Sequence, residues 1–502
     1  MPSGETVPPF EFDEATVADL TSKLGGGEIT SRSLAEAYLG RIDAIDRAGP
    51  ELRAVIEVNP DALRIADELD RERAEGHVRG PLHGIPVLVK DNIDTADGMK
   101  TTAGSWALED SRPAQDAPVI VRLRDAGALL LGKSNLSEWA NFRSSRSSSG
   151  WSARGGQCRN PYALDRSPCG SSSGSGAAVA ANLCAIAVGT ETDGSIICPS
   201  SLNGLVGIKP TVGLVSGAGI VPISHTQDTA GPMARTVADA ATLLAVIAGS
   251  DAWVQLDPGA LRGARIGVAR NLAGFDKRVD ALFEDALAAM RDLGAELIDP
   301  ADVPHATELQ EPEWEVLKYE FKADVAAYLA TVGGDVPRTL AELIAFNVSR
   351  AGDEAIALFG QDVFEQAEEK GPLTDPAYLE LLATCGRLSR EEGLDAVLAE
   401  QSLDAVVAPS GSPAWLIDHL LGDHYVGGNT SPAAISGYPS ITVPMGLVSG
   451  LPVGISLMGA ARTENRLIGL AFAFEHATGH REPPRFRATV PGAGTRRPAR
   501  RS

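Results

Sequence analysis

Two short serine- and glycine-rich turns are the part of this sequence best suited to chemistry. They cover residues 171–176 and 190–195, and an apolar, alanine-rich run lies between them at 177–188. Glycine occurs where a backbone must adopt a positive φ or come close to another group. A flexible linker would not contain so long an apolar segment, because linkers are polar and form no core. The pattern predicts a site built from backbone N–H groups and serine hydroxyls.

A serine nucleophile in these turns would need a base, and no histidine is an obvious candidate. The chain contains no H-E-x-x-H or G-x-S-x-G pattern. Its eight histidines do not cluster at metal-binding spacings. Lysine can act as a base when burial lowers its pKa. Lys90 ends a short apolar strand predicted over 84–90, a position from which a charged lysine usually reaches toward solvent.

Residues 127–134 match the letters of a phosphate-binding P-loop, G-x-x-x-x-G-K-S. In a true P-loop the four middle residues form an exposed loop after the strand has ended. Here those four positions are Ala128, Leu129, Leu130 and Leu131, which are typical of a buried strand. We therefore interpret the segment as a core strand that enters a turn, and we reject a nucleotide site.

The overall composition is that of a globular protein with an acidic surface. The chain has 502 residues, of which 44% are hydrophobic and 22% charged, and its formal net charge is −22. Nucleic acids and anionic membranes are bound by basic surfaces, so neither is expected as a partner. The only basic run is the tail at 496–501, which is typical of a solvated terminus.

The cysteine pattern and the first residues of the chain indicate in which cellular compartment the protein is expected. Five cysteines occur at irregular spacings with no C-x-x-C pair, which indicates neither a zinc ribbon nor a disulfide scaffold. The first twenty residues lack the basic and apolar regions of a signal peptide. No apolar run reaches membrane-spanning length. We expect a reducing, cytoplasmic location.

Helix and strand patterns alternate along much of the chain, which predicts an α/β fold with a sheet covered on both faces. Helices are expected over 13–48 and 61–75, and strand and helix patterns then alternate from 84 to about 248. Residues 307–400 are predominantly helical and charged. Further strands are predicted at 405–408, 440–443 and 453–457, followed by a helix at 464–476.

Several segments together resemble the amidase signature family. The chain has GIPVLVKDNI where the family has its lysine motif, GSSSGS in place of the usual GGSSGGS, and GTETDGS in place of the usual GTDTGGS. Shorter matches extend the resemblance over about residues 10 to 480, and their combination is highly specific. They lie at 207–211, 228–233, 437–444 and 451–454.

The resemblance implies a catalytic triad of two serines and a lysine. Ser195 would be the nucleophile, Ser171 the bridging serine and Lys90 the base. In the family the bridging serine follows a cis peptide bond, and Gly170 is sterically compatible with one. Ser172 is expected to help as a hydrogen-bond donor. No metal ion or organic cofactor is needed.

The nucleophile turn departs from the family pattern at one position. The N–H groups of Thr192, Asp193, Gly194 and Ser195 are expected to form the oxyanion hole, yet residue 193 is usually glycine. A carboxylate there would repel an oxyanion unless it pointed away. We therefore expect Asp193 to accept hydrogen bonds from the substrate. Asp193-Gly194, together with the upstream segment 151–156, resembles the peptide amidase branch, whose members remove a C-terminal amide. Trp151 and Arg154 would then either shape the substrate site or be a core tryptophan and a surface arginine, and the sequence favours neither.

The resemblance also implies the architecture, a large, mixed, mostly parallel twisted sheet with helices on both faces. We expect a helical N-terminal segment over 1–80 that packs on the core, and a catalytic core over 81–250. The remainder of the same α/β domain would cover 251–480, with a helical layer at about 307–400 that shapes the substrate pocket. A flexible tail is expected at 481–502.

Three functions remain open at this point. The leading one is hydrolysis of carboxylic amides through a seryl acyl-enzyme, with C-terminal peptide amides as one candidate substrate. The second is the amidase subunit of a glutamyl-tRNA amidotransferase, which releases ammonia from glutamine for a companion chain. The third is a catalytically dead binding or scaffold protein. We expect a small-molecule or peptide amide as the partner, no nucleic acid or membrane, and a monomer or homodimer.

Overall fold

The computed structural model describes residues 7–250, 256–353 and 358–490. Eleven of the thirteen strands form one mixed sheet, in the order β1-β3-β2-β6-β8-β7-β12-β13-β11-β9-β10, and β4 pairs with β5 in a separate ribbon. The strands are β1 (Val55–Val58), β2 (Pro86–Lys90), β3 (Leu129–Ser134), β4 (Trp151–Ser152), β5 (Gly156–Gln157), β6 (Ile186–Glu191), β7 (Val206–Lys209), β8 (Thr229–Ala234), β9 (Arg265–Val268), β10 (Glu296–Ile298), β11 (Ala405–Pro409), β12 (Ser440–Val448) and β13 (Leu451–Met458).

Fifteen α-helices of the described residues surround this sheet, which confirms the predicted α/β architecture. The helices are α1 (Val17–Gly25), α2 (Ser31–Arg41), α3 (Ala62–Ala74), α4 (Pro118–Asp125), α5 (Ser173–Ala180), α6 (Ile197–Leu202), α7 (Val237–Ala248), α8 (Lys277–Asp292), α9 (Gln310–Leu329), α10 (Leu340–Ser349), α11 (Asp362–Glu368), α12 (Pro376–Gly386), α13 (Asp395–Glu400), α14 (Ser431–Ser436) and α15 (Glu464–Thr478).

The sheet is mixed, as expected, but the expectation that it is mostly parallel is wrong. Strands β2–β3, β2–β6, β9–β10 and β9–β11 pair in parallel, whereas the other six neighbouring pairs are antiparallel. The reason lies in the connections. A two-residue turn joins β12 to β13, which only an antiparallel pair allows. A loop without a crossover helix joins β7 to β8.

The strands nearest the predicted site are buried along their whole length. Every residue of β2, β3 and β6 is buried, because helices cover both faces of this part of the sheet. Strand β3 includes the P-loop-like letters, and its Lys133 is fully buried with Nζ bonded to Ile93 O and Thr101 Oγ1. The rejection of a nucleotide site is consistent with this packing, since the segment is a buried strand and not an exposed loop.

Two regions flank the catalytic core. The N-terminal region contains α1 to α3, as its sequence predicts, but it also supplies β1, which pairs antiparallel with β3 at the edge of the sheet. The 307–400 region forms α9 to α13, and Phe321 of α9 stacks on Phe364 of α11 in a second apolar core. Of the helices that the structure describes, none is both long and apolar enough to cross a bilayer. The part of the predicted tail at 491–502 lies outside the described residues.

Candidate active site

Lys90 is the last residue of β2, and its side chain is completely buried. Its Nζ lies 2.8 Å from Ser171 Oγ and 2.8 Å from Thr190 Oγ1. The carbonyl oxygen of Thr190 lies 3.2 Å from the same nitrogen. The apolar strand thus carries the amine into the interior and places it in direct contact with the predicted bridging serine.

The turns that carry the two predicted catalytic serines are joined by a backbone hydrogen bond. The Gly170–Ser171 peptide bond is cis, and a Cβ added at Gly170 would lie 2.1 Å from Ser137 Oγ, so glycine is required there. The N–H of Ser172, at the start of α5, donates to the carbonyl of Ser195 at 3.2 Å. This bond joins the bridging turn to the nucleophile turn, and Ser195 lines an open cavity.

Ser172 and two residues that the sequence analysis did not single out hold this arrangement together. Ser172 Oγ donates to the Thr190 carbonyl at 3.0 Å and accepts from the Thr190 N–H at 3.1 Å. Asn92 Nδ2 donates to Thr190 Oγ1 at 3.0 Å. Thr190 and Asn92 belong to the same quoted motifs as Ser195 and Lys90, so the motifs contained the signal. Both residues position the amine of Lys90.

Burial allows the Lys90 amine to act as a base near neutral pH. It lowers the pKa of Lys90 to about 7, although the negative charges of Asp228 and Glu191 act in the opposite direction. Asp228 is itself buried, which raises the pKa of its carboxyl to about 6. Its oxygens accept the Thr192 hydroxyl at 2.6 Å and the Ile223 N–H at 2.8 Å. A large fraction of Lys90 is therefore neutral at pH 7.

The nucleophile turn presents a row of unused backbone donors. No acceptor in the described part of the chain is bonded to the N–H groups of Thr192, Asp193, Gly194 or Ser195. Buried N–H groups are almost always paired, so consecutive unpaired ones that line a cavity form an anion-binding site. Gly194 has φ +78°, which glycine adopts without strain. Glu191 supports the turn by accepting the N–H of Ile196 at 2.7 Å.

The cavity in front of these donors has a volume of about 510 Å³. The nucleophile turn forms one wall, α9 forms another, and the loop before α14 forms the rim. Three carboxyl groups line it, and no Lys, Arg or His occurs among its lining residues, all of which the structure describes. The residues that line it from α9 and the rim include Gln310, Glu313, Trp314, Leu317, Trp415, Asp423, Tyr425, Thr430 and Ser431.

The two predicted substrate contacts Trp151 and Arg154 do not line this cavity. The Trp151 ring is buried, and its centroid lies 5.0 Å from that of Phe359 in an edge-to-face contact. The Arg154 guanidinium pairs with Glu57 and lies 3.6 Å from an Asp91 carboxylate oxygen. Both side chains are engaged by other parts of the protein, so this placement does not support a role in substrate contact.

Among the described residues, one group of side chains has the types and spacing of a metal site. The ligand atoms of His225, Glu320 and Asp324 lie within 4.8 Å of one another. They are already engaged within the protein, however. His225 Nδ1 bonds Asp324 at 2.9 Å, and Glu320 accepts the hydroxyl of Tyr378 at 2.7 Å. The group lies apart from the cavity that contains Ser195, and the candidate chemistry makes no use of it.

A disulfide joins the bases of the two catalytic turns. Cys169 precedes the cis peptide bond and Cys198 lies in α6, and the two are bonded and almost completely buried beside the cavity. The irregular cysteine spacing did not predict this pair, because the two residues are brought together only by the fold. The disulfide also disagrees with the expectation of a reducing compartment, because disulfides are rare in such compartments.

Removing this disulfide is expected to destabilise the protein. A cross-link that closes a loop of this length, 29 residues apart in sequence, typically contributes about 2–4 kcal/mol by restricting the unfolded chain. The Cys169→Ala/Cys198→Ala double variant should lose that amount in urea unfolding. Dithiothreitol should destabilise the native protein to the same extent and leave the double variant unchanged. Equal stability of the two proteins under oxidising conditions would contradict the expectation.

Comparison with known protein families identifies the family of this chain. A family model described as Amidase matches residues 33–468. The chain belongs to the amidase family. The predicted resemblance is thereby confirmed, and the protein is an amidase, an enzyme that hydrolyses carboxylic amides.

Relatives and solved structures agree with this assignment. The amidase is 42% identical to a probable amidase of Arabidopsis thaliana over 95% of this chain and 92% of the relative. It is 34% identical to a glutamyl-tRNA(Gln) amidotransferase subunit of Symbiobacterium thermophilum, over 91% and 95%. The crystal structure of native peptide amidase from Stenotrophomonas maltophilia matches with a TM-score of 0.91 and 52% identity, covering 95% of this amidase and all of that chain.

Replacing Asp228 with asparagine is expected to shift the pH dependence of this amidase to lower pH. A nearby negative charge favours the protonated amine, so its removal lowers the pKa of Lys90 further. The acidic limb of the kcat/KM profile for amide hydrolysis should move down by about 1 pH unit. Asp67→Asn is the control, because Asp67 is not among the charges that shift the pKa of Lys90 or of Asp228, and its profile should not move. A profile unchanged in Asp228→Asn would show that Asp228 does not set this pKa.

Proposed function

We propose that this amidase removes the C-terminal amide of peptides through a covalent acyl-enzyme on Ser195. The observation that carries the proposal is the contact between the buried Lys90 amine and the Ser171 hydroxyl, at 2.8 Å. A neutral amine there can take a proton across Ser171, which leaves the adjacent Ser195 as the group that attacks. Ser172 supports the relay through its two bonds to Thr190.

The first half of the reaction forms the acyl-enzyme. Neutral Lys90 takes the Ser171 proton while Ser171 takes the Ser195 proton, and Ser195 Oγ bonds to the amide carbon. The carbonyl electrons move to oxygen, and the N–H groups of residues 192–195 stabilise the oxyanion. Such donors are typically worth about 2.7–4 kcal/mol each to the transition state. The C–N bond then breaks as the proton returns through Ser171 to the leaving nitrogen, which departs as ammonia.

The second half releases the acid. Water gives a proton to the same relay and attacks the ester carbon, and the bond to Ser195 breaks as its oxygen recovers a proton from Ser171. The full reaction consumes one water and yields one acid and one ammonia, so no electron acceptor or donor is required. All three residues of the triad are present, Lys90 contacts Ser171, and a backbone bond joins the Ser171 and Ser195 turns, which disfavours a dead scaffold protein.

The charged groups that line the cavity favour one class of substrate over another. Free glutamine carries an α-carboxylate, whose binding calls for a cationic or donor-rich partner. The cavity instead has Asp193, Glu313 and Asp423 and no lining cation among the described residues. An amidated peptide has no C-terminal carboxylate and is not repelled. We therefore favour peptide amides over the glutamine of an amidotransferase, and we propose that the helical layer at 307–400 shapes the acyl side of the pocket through α9.

We further propose that the enzyme acts in the cytoplasm as a monomer or homodimer. The formal net charge of −22 supports a partner other than nucleic acid. The Cys169–Cys198 disulfide would have to resist cytoplasmic reductants, and its burial supports that resistance.

A substrate panel tests the proposed function. Ammonia release is measured from amidated peptides, aryl amides, fatty amides and glutamine, with Ser195→Ala as the blank. We expect the highest kcat/KM for amidated peptides and little release from glutamine. A kcat/KM for glutamine equal to or above that for the peptides would overturn the substrate assignment and favour the amidotransferase function. Release no faster than the blank from every substrate would favour a dead scaffold.

A further inference from the structure

The side chain of Asp193 has an unused acceptor in the wall of the catalytic cavity. Its Oδ2 accepts the Ser431 hydroxyl at 2.6 Å. Its Oδ1 is buried, and no donor among the residues that the structure describes bonds to it. A buried acceptor without a donor is costly, which is why such atoms are rare in native proteins. This one lies two residues from the nucleophile, where the substrate must bind.

Glu313 faces Asp193 from α9 across the same cavity. Its side chain is only 8% exposed, and Oε1 accepts Gln227 Nε2 at 2.8 Å. Burial and the charge of Asp193 raise the pKa of Glu313 well above its ordinary value. Two carboxyl groups this close cannot both be charged at low cost. The raised pKa favours the protonated Glu313 carboxyl, which is in hydrogen-bonding contact with Asp193. The pair then carries one negative charge, to which a substrate N–H can also donate.

The other charged or titratable groups near Asp193 do not satisfy it. Lys209 is buried, but its Nζ donates to the Pro210 carbonyl at 3.2 Å rather than to Asp193. Burial and the charge of Asp193 raise the pKa of Tyr425, which keeps this phenol neutral at the rim. Glu191 is committed to the N–H groups of the nucleophile turn. The acceptor is therefore available to a ligand.

We propose that Asp193 and Glu313 form a subsite for the nitrogen on the α-carbon of the acyl group, with Asp193 Oδ1 accepting its N–H. This inference rests on the proposed function and narrows its substrates to amides of α-amino acids. The donor is either the N–H of the preceding peptide bond or a free α-ammonium, both of which offer N–H to a carboxylate. Amides that lack an α-nitrogen leave the acceptor unpaired and react more slowly.

Matched substrates isolate that single hydrogen bond. N-acetyl-leucinamide is compared with 2-acetoxy-4-methylpentanamide, in which oxygen replaces the α-N–H while size and leaving group are kept. We expect kcat/KM of the native enzyme to be about 10- to 100-fold higher for the acetamido compound. Leucinamide, which has a free α-ammonium, identifies the source of the donor. If leucinamide is hydrolysed faster than N-acetyl-leucinamide, the donor is the α-ammonium. If it is hydrolysed more slowly, the donor is the peptide N–H.

Three variants link the preference to the subsite. In Asp193→Asn the charged acceptor is lost, so the acetamido-to-acetoxy ratio should fall to less than a third of the native value. Glu313→Gln keeps a neutral donor beside Asp193 and should keep the native ratio. Gln310→Ala, on the same helix and cavity wall, should keep the native ratio. The ratio is read within each protein, so a general loss of activity cancels.

The outcomes separate this inference from the proposed function. Equal kcat/KM for the acetamido and acetoxy compounds in the native enzyme overturns the subsite, and so does an unchanged ratio in Asp193→Asn. In both cases hydrolysis that exceeds the Ser195→Ala blank leaves the acyl-enzyme mechanism intact. Hydrolysis no faster than that blank for every compound overturns the proposed function, and the subsite with it.

Discussion

Replacing Ser195 with alanine is expected to lower kcat for peptide amide hydrolysis by about 10⁶-fold, the loss typical of removing a serine nucleophile from a catalytic triad. Among the described serines that line the cavity, only Ser195 follows three unpaired N–H donors and carries a fourth. The residual rate would come from the oxyanion hole and substrate binding alone. Steady-state ammonia release from N-acetyl-leucinamide measures the loss.

Ser175→Ala is the matched control for this substitution. Ser175 belongs to the other glycine- and serine-rich segment, at 171–176, and is also buried, but its hydroxyl bonds Ser134 Oγ at 2.7 Å, outside the proposed relay. It should lose less than tenfold in kcat. If Ser195→Ala kept more than about 1% of native activity, the attack would have to come from another residue.

Replacing Lys90 with arginine is expected to lower kcat by about 10⁴-fold or more, even though the positive charge is kept. Arginine cannot lose its proton in a protein, so it cannot act as the base. Lys90→Ala should lose a similar amount, because it removes the base altogether. If either variant kept more than about a tenth of the native kcat, Lys90 would not be the base.

The native pH profile provides an independent check on Lys90. Only the neutral amine accepts a proton, and its pKa is about 7. The kcat/KM for N-acetyl-leucinamide should therefore rise about tenfold per pH unit below pH 7 and level off above it. A rate that rises with pH is expected of a base that acts only in its deprotonated form. A rate independent of pH between 5 and 7 would be inconsistent with a lysine base.

The parts of the site that could be predicted are those contained within short stretches of sequence. Lys90, Ser171 and Ser195 were predicted because their segments resemble family motifs, and the apolar strand before Lys90 agreed with a buried base. The strands β2, β3, β11, β12 and β13 were also predicted close to their observed positions. Local patterns sufficed because each of these features depends on neighbours in sequence.

The features that could not be predicted depend on contacts between distant segments. Glu313 lies 120 residues from Asp193 in a charged helix with no distinguishing pattern, and Ser431 lies still farther along the chain. The strand directions depend on which connections contain a crossover helix, which the strand patterns do not encode. Trp151 and Arg154 were chosen for their place next to a motif, but the fold points them into other contacts.

The most direct measurement is to label the folded enzyme with a serine-directed fluorophosphonate and locate the adduct by mass spectrometry of its peptides. A single adduct on the oxygen of Ser195 is predicted, formed far more slowly in Lys90→Arg. Absence of labelling at this serine, or labelling that proceeds at the native rate once the lysine is replaced, would contradict a nucleophile activated by the buried amine.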